Sequence, residues 1–376
     1  MNHDSGTNTN TSNPNGPLPF SSIIFGAATF SASYNDSSKL KSEIPEKTLL
    51  KALRSGINAI DTSPYYFGSE AILGKILSKP EIQSEFPRHT YHLLTKCGRY
   101  GPKIQDFDYS PDRIRKSIQE SFKLMHTTYL DVVYLHDIEF IAEKLDEIDL
   151  NQVHDQVIRN PIKPLGSGDQ LILKAIQTLF QLKQEGKIKK VGISGYPLPT
   201  LLRISKLIHQ ELKTPLDIIM SYSNYTLQNQ SLRPYVDLFH QQGIQQIINA
   251  SPFSMGLLTT LGPQLWHPAC DELKQICQEI GKICQEKYQS RLERVALKFG
   301  IQTVLNHQQE EEGKIDALVV GFSGVEEVEE FVEIQDELLK QDRVQVERTK
   351  FIEIGIQEFF KQSGYLNWCW PTTYLR

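Results

Sequence analysis

No apolar run in this sequence approaches the roughly 18 residues needed to cross a bilayer, so no membrane partner is expected. Residues 1–19 are Asn-, Ser-, Thr-, Gly- and Pro-rich and lack the apolar stretch of a secretory signal. They cannot bury enough apolar surface to order themselves, which predicts a disordered polar tail. Cysteine is scarce, at five in 376 residues, and the odd count argues for free thiols in a reducing, cytoplasmic setting. Basic charge is not in excess: 40 Lys and Arg stand against 45 Asp and Glu, which excludes the electrostatic footprint of a nucleic-acid binder. No C-x-x-C occurs. Cys270, Cys277 and Cys284 recur every seven residues, three positions after His267. That spacing is too long for adjacent ligands on one helix, so an apolar seam is expected and no metal. Finally, no G-x-G-x-x-G follows the first strand-like run, where the chain reads Gly26-Ala27-Ala28-Thr29-Phe30. This removes the usual phosphate loop of a doubly wound sheet.

Short apolar runs recur at residues 23–27, 57–61, 91–96, 129–136, 188–194, 216–221, 244–250 and 315–321. Several are apolar throughout rather than alternating, as parallel strands buried on both faces require. Helical patterns lie between them, at 45–55, 69–77, 111–125, 169–185, 199–211, 232–241, 270–299 and 325–339. The first opens with a proline, ends at Gly56 and sets Leu49, Leu50 and Leu53 on one face. Eight strand–helix units without a long polar linker predict an α/β fold, a closed (β/α)8 TIM barrel over residues 20–345. Two segments fall outside the repeat. Residues 138–168 form a long loop after the fourth strand, either a lid or an insertion. Residues 346–376 form a C-terminal helix and an aromatic tail, placed either under the barrel or across its mouth.

Chemically capable residues stand near the ends of three strands. Asp61 and Tyr66 follow the second, Lys96 ends the third and His136 ends the fourth. Active sites of such barrels form at the C-terminal strand ends. A tyrosine, ordinarily ionising near 10, can move a proton to or from a substrate oxygen if a neighbouring ammonium favours its phenolate against burial. On this reading Lys96 supplies the charge, Asp61 holds Lys96, and His136 orients the substrate oxygen. Taken singly, each residue has a plainer role, as a turn cap, an edge aromatic or a solvated polar group.

The segments around these residues resemble the aldo-keto reductase superfamily. They are residues 58–66, Leu94-Thr95-Lys96-Cys97-Gly98-Arg99, Tyr134-Leu135-His136-Asp137 and residues 186–196. The likeness runs from about Phe20 to Leu339. It implies a barrel that binds a nicotinamide cofactor, with Tyr66 as general acid/base and Asp61, Lys96 and His136 beside it. It implies that Ser194 holds the nicotinamide carboxamide, where the family usually adds an Asn and this chain has Gly195. Where the family often has a Gln at the end of the sixth strand, this chain has Tyr222. Where it often stacks an aromatic on the ring, after the seventh strand, this chain has Ala250.

Further cofactor contacts implied by the resemblance are Gly26, Ser251, Pro252, Met255, Gly256, Gly321, Phe322, Ser323, Glu327 and Glu330. Phe30, Tyr65, His136 and Trp368 are expected to meet substrate, with the loops 30–34 and 138–168 and the Trp368/Trp370 tail as the segments that supply such contacts. Asp61-Thr62-Ser63-Pro64-Tyr65-Tyr66, Gly195-Tyr196-Pro197 and Ala250-Ser251-Pro252 are similar to the subgroup that oxidises D-arabinose- or L-galactose-type aldoses at C1 to lactones. No Lys or Arg occurs between Lys314 and Lys340, where the family often grips the 2′-phosphate of NADP. Glu327 would repel that phosphate, so NAD is expected over NADP. The alternatives are a broad carbonyl reductase and a non-catalytic binding subunit on the same barrel. A monomer or weak homo-oligomer is expected.

Overall fold

The computed structural model describes residues 16–143, 157, 161–306, 313–340 and 342–371. Most of the expected tail at 1–19 and most of the expected loop at 138–168 lie outside the described residues.

Eight parallel strands close into one barrel in sequence order. They are β1 (Ile23–Gly26), β2 (Ala59–Asp61), β3 (His92–Cys97), β4 (Leu130–Leu135), β5 (Ile188–Gly195), β6 (Ile218–Tyr222), β7 (Gln246–Ala250) and β8 (Ala317–Gly321). Alternation along each strand sorts its side chains. Ile24, Ala59, Leu94, Val132, Tyr134, Ile218, Met220, Ile248, Ala317 and Val319 fill the interior. Phe25, Ile60, Leu93, Val133, Leu135, Ile219, Ile247, Leu318 and Val320 face the surrounding helices. Both sets are apolar because both faces are covered, which is why the runs read as continuous rather than alternating.

The helix Ile44–Arg54 illustrates the outer layer. Pro45 begins it without losing a bonded N–H, and Gly56, at φ 86°, ends it. Leu49, Ala52 and Leu53 on its inner face are buried. Each buried leucine stabilises by about 1.5–3 kcal/mol relative to exposure. Leu49→Ala would cost about 2–5 kcal/mol, since the cavity left behind adds to the lost burial.

Three details differ from expectation. Leu18 already belongs to the barrel floor: its N–H donates to Gln246 Oε1 at 2.9 Å, its carbonyl accepts from Gln246 Nε2 at 3.0 Å, and it packs on the interior cluster. The expected helix at 270–299 is two helices, Asp271–Tyr288 and Leu292–Asn306. Gln289 ends the first in a left-handed conformation at φ 52°. A glutamine rarely takes that conformation, so the sequence held no stop signal there. Short helices at Ser37–Lys41, capped by the Asp36 side chain, and Pro80–Glu85 also went unread.

The helix Arg343–Gln362 packs Ile352, Ile356 and Phe360 into a second apolar cluster that contains Cys277 and Cys284. The cysteine repeat thus lies in an apolar seam. Gly364, at φ 78°, then turns the chain back. Asn367 N–H donates to the Gln228 carbonyl at 2.9 Å, and Gln228 Nε2 donates to the Tyr365 carbonyl at 2.5 Å. The Trp370 ring stacks on Tyr196, just past the end of β5, at 4.4 Å and 5°. The tail therefore lies across the mouth rather than under the floor.

Candidate active site

The strand registers bring the expected residues into one layer. Gly26 pairs with both Asp61 and Gly321, Lys96 with Tyr134, Ser194 with Met220, and Tyr222 with Ala250. All stand at the C-terminal strand ends.

Lys96 Nζ donates to Asp61 Oδ1 at 2.9 Å and Oδ2 at 2.7 Å, and to the Thr62 carbonyl at 3.0 Å. Both side chains are buried, at 2% and 3% exposure. Two unpaired charges at this depth would be very costly, so pairing them is a condition of burying them. Burial lifts the Asp61 carboxyl, and Lys96 opposes that lift. The turn Thr62-Ser63-Pro64-Tyr65 then swings Tyr66 back over the pair, closed by Tyr66 N–H to the Ser63 carbonyl at 3.0 Å. Lys96 Nζ lies 4.8 Å from the Tyr66 ring centre. Burial drives the Tyr66 hydroxyl well above its ordinary value, with Asp61 and Asp137 pushing the same way and Arg99 opposing. Asp61 takes up the Lys96 ammonium, and burial outweighs the opposing charge of Arg99.

His136 continues β4, its N–H donating to the Cys97 carbonyl at 2.9 Å. Ser63 Oγ accepts from Tyr65 N–H at 3.1 Å and stands 3.1 Å from His136 Nδ1. His136 Nε2 lies 3.5 Å from Asp137 Oδ2, and a ring N–H on that side suits the carboxylate, with Nδ1 left to accept from the Ser63 hydroxyl. Burial pushes the imidazole down to about 3, with Lys96 and Arg99 acting the same way against Asp137. At neutral pH the ring is uncharged and presents an N–H. Its ring centre lies 6.0 Å from that of Tyr66 and 5.9 Å from that of Tyr65, edge to face in both.

Behind His136 the chain passes through Asp137 in a left-handed conformation at φ 53°. Such strain in a non-glycine residue collects at functional sites. Asp137 pairs with Arg99, whose guanidinium lies 3.8 Å over the Tyr65 ring. Burial would lift the Asp137 carboxyl, but the charge and hydrogen bond of Arg99 hold it low. The short turn Ile138–Phe140 next carries Glu139, also buried. Burial, reinforced by Asp137, pushes the Glu139 carboxyl up to about 8.

Ser194 is inward-facing and buried, and its Oγ has no hydrogen-bond partner among the described residues. Tyr222 tilts against Tyr196 at 5.3 Å, beside the small Ala250. After β7, Ser251, Ser254, Met255 and Gly256 all have positive φ. Ser251 Oγ accepts from Met255 N–H at 2.8 Å. His267 secures this loop: its Nδ1 accepts from Ala269 N–H at 3.1 Å, so its Nε2–H donates to the Ser254 carbonyl at 2.8 Å. After β8, Ser323 N–H donates to Glu327 Oε2 at 2.6 Å, and Asn35 Nδ2 donates to Ser323 Oγ at 3.0 Å.

Some expected contacts are not brought to the mouth. Phe30 is buried in the barrel–helix layer, 5.4 Å from Phe25, because the turn Ala27–Phe30 points it outward. The Phe322 ring sits in the same layer between Phe25 and Phe331, leaving only its backbone at the strand end. The Pro252 ring lies against Gly300 of an outer helix. Trp368 packs on Tyr365 at 5.8 Å, beside the second cluster, and Trp370 takes the position over β5 instead. Glu330 is clamped by Arg291 at 2.5 and 2.6 Å and by Arg294 at 3.3 Å.

Further residues also converge, Tyr34 from the loop 30–34 expected to meet substrate among them. Tyr34 faces Tyr66 and Tyr65 and meets Trp266 edge-on at 5.7 Å. Arg99, Asp137, Glu139 and Tyr196 all stand within a few positions of strand ends that had been read, and that proximity was the available signal.

A sequence profile of the aldo/keto reductase family matches residues 22–348. The chain is 33% identical over 323 residues to L-galactose dehydrogenase of Arabidopsis thaliana, covering 85% of this chain and 86% of that one. It is also 33% identical over 320 residues to D-arabinose 1-dehydrogenase of Saccharomyces cerevisiae, covering 84% and 83%. Among solved structures, an aldo-keto reductase from Bacillus halodurans superposes with a TM-score of 0.58 at 19% identity, covering 96% of this chain and 97% of that one. At that identity the likeness is one of fold.

Proposed function

The chain belongs to the aldo/keto reductase family, and on that premise we propose that it oxidises an aldose of the D-arabinose or L-galactose type at C1 to the lactone, with NAD⁺ as hydride acceptor. The observation that carries the reading is the buried Lys96–Asp61 pair beneath Tyr66, with neutral His136 across from it. Two relatives that match most of the chain, an L-galactose dehydrogenase and a D-arabinose 1-dehydrogenase, support a sugar substrate.

The residues fit a flat cofactor ring. Tyr66, Lys96, Asp61 and His136 occupy one half of the mouth, and the inward positions opposite hold Ser194, Ala250, Gly321 and Gly26. Tyr222, adjacent to Ala250 in register, is the aromatic available to stack on that ring. Oxidation takes a hydride from C1 and a proton from its hydroxyl. The nicotinamide supplies the hydride acceptor, and C1–O becomes the lactone carbonyl. Tyr66 takes the proton once ionised, while His136 Nε2–H donates to the same oxygen and holds it in line. In reverse, the protonated Tyr66 is an acid toward a carbonyl. Tyr65 on Arg99, and Tyr34 with Trp266, offer aromatic walls for a sugar ring.

For the cofactor's adenosine ribose, Glu327 is the carboxylate beside Ser323 and favours a free hydroxyl over a phosphate. Glu330, neutralised by Arg291 and Arg294, adds nothing to that preference.

The test is NAD⁺ reduction followed with D-arabinose, L-galactose, L-fucose and D-xylose, each also run with NADP⁺. Turnover of at least one aldose, with lactone as product, is expected. Activity confined to reduction of simple aldehydes would replace this reading with a broad carbonyl reductase.

A further inference from the structure

Two polar atoms on the half of the mouth opposite Tyr66 are buried without a hydrogen-bond partner among the described residues: Ser194 Oγ and Glu139 Oε2. Such atoms are costly unless something satisfies them. Glu139 does not come from a barrel strand. The left-handed Asp137 turns the chain after β4, and the turn Ile138–Phe140 lays Glu139 beside the end of β5. One carboxyl oxygen is taken, since Oε1 accepts from Tyr196 N–H at 3.1 Å and from the Tyr222 hydroxyl at 3.4 Å. The other lies where a side chain at residue 195 would begin: a Cβ there would stand 2.4 Å from Oε2. Gly195 has φ in the ordinary range, so backbone strain does not demand a glycine here. Its missing side chain is what admits the carboxyl.

We propose that Glu139, admitted by Gly195, binds the primary carboxamide of the nicotinamide together with Ser194. This rests on the nicotinamide reading above. A ring facing Tyr66 across the barrel axis lies over the small residues of β5 to β8, and its carboxamide carries both N–H donors and a carbonyl acceptor. The carboxyl is met by Asp137 and Arg99 on its own side and by the phenols of Tyr222 and Tyr109 from neighbouring segments. Pushed up to about 8, it keeps its proton at neutral pH; with Oε1 taken, that proton sits on Oε2 and can donate to the carboxamide carbonyl.

Binding measured by fluorescence titration, without turnover, tests this with three ligands: NAD⁺, its 3-acetylpyridine analogue, which lacks the amide N–H, and ADP-ribose, which lacks the ring. Glu139→Ala is expected to weaken NAD⁺ about tenfold, the worth of one buried hydrogen bond, and to leave ADP-ribose unchanged. The analogue, which keeps the carbonyl that the Oε2–H reaches, should lose affinity with Glu139→Ala as NAD⁺ does. Gly195→Ala, which crowds Oε2 without removing it, should give the same pattern, and Glu139→Gln should retain NAD⁺. Equal losses for NAD⁺ and ADP-ribose, or no loss at all, would overturn the assignment. Wild-type protein that binds none of the three would instead overturn the nicotinamide reading beneath it.

Discussion

The Lys96 ammonium lies 2.7 Å from Oδ2 of Asp61, and neither side chain has more than a trace of contact with solvent. The two form one neutral unit under Tyr66. Lys96→Met leaves a bare carboxylate in the barrel and should lower stability by about 3–5 kcal/mol. Adding Asp61→Asn should restore much of that loss without restoring turnover. Urea unfolding of the two variants checks this; equal stabilities for both would contradict the coupling.

Tyr66→Phe removes one oxygen atom from the half-buried ring. Loss of positioned proton transfer should cut turnover by about 10²–10⁴-fold. NAD⁺ affinity, read by fluorescence, should hardly change. Tyr65→Phe is the control: its ring serves as a wall over Arg99, so it should alter KM for the sugar far more than kcat.

The two titrating groups of the site are driven apart. Tyr66 is held well above its ordinary value, and His136 is pushed down to about 3. Oxidation needs the phenolate, so kcat/KM should rise steadily with pH across the neutral and alkaline range. It should show no inflection near the ordinary histidine value of about 6.5. Reduction uses the phenol and should stay flat from neutral pH up to about 8, above which Glu139 loses its proton. A break near 6.5 that vanishes in His136→Asn would mean that the imidazole titrates where burial says it does not.

Much of this is legible in the sequence. The eight apolar runs mark the strands because parallel strands covered on both faces must be apolar along their length. Asp61, Tyr66, Lys96 and His136 were found because each closes or follows such a run. Local spacing does not report side-chain direction, which is where reading failed. Phe30 closes the turn Ala27–Phe30 and points outward, and Trp368 and Trp370 are two residues apart in an irregular tail, where no periodicity tells which ring turns inward. Nor could the sequence show that Arg291 and Arg294 reach Glu330, since those partners stand 39 and 36 positions away.

Cofactor choice should follow Glu327. NAD⁺ is expected to give the higher kcat/KM, and Glu327→Ala should narrow the gap to NADP⁺ by removing like-charge repulsion. Glu330→Ala should leave the ratio unchanged, because Arg291 and Arg294 already offset that charge. A wild-type preference for NADP⁺ would refute the argument.

Trp370→Ala should loosen the tail. The ring is almost wholly buried against Tyr196, and truncating such a residue costs about 3–5 kcal/mol of local stability. Faster proteolytic cleavage near Gly364 and a raised KM for the cofactor are expected, the latter through the Tyr196–Tyr222 contact. Trp368→Ala should do much less. Equal effects of the two substitutions would place the anchor elsewhere.

The pairing of Trp370 with Tyr196 also sets an order in time. All eight strands precede Trp370 by at least the length of a long helix, so a nascent chain can close its barrel before the tryptophan has been made. In that interval the Lys96–Asp61 pair is already sealed, while the wall beside β5 is missing its outer ring. Maturation of this protein during synthesis thus has two separable events, closure of the scaffold and completion of the mouth. Ribosome-arrested chains of increasing length would resolve them as a protease-resistant barrel whose hold on its cofactor is weaker.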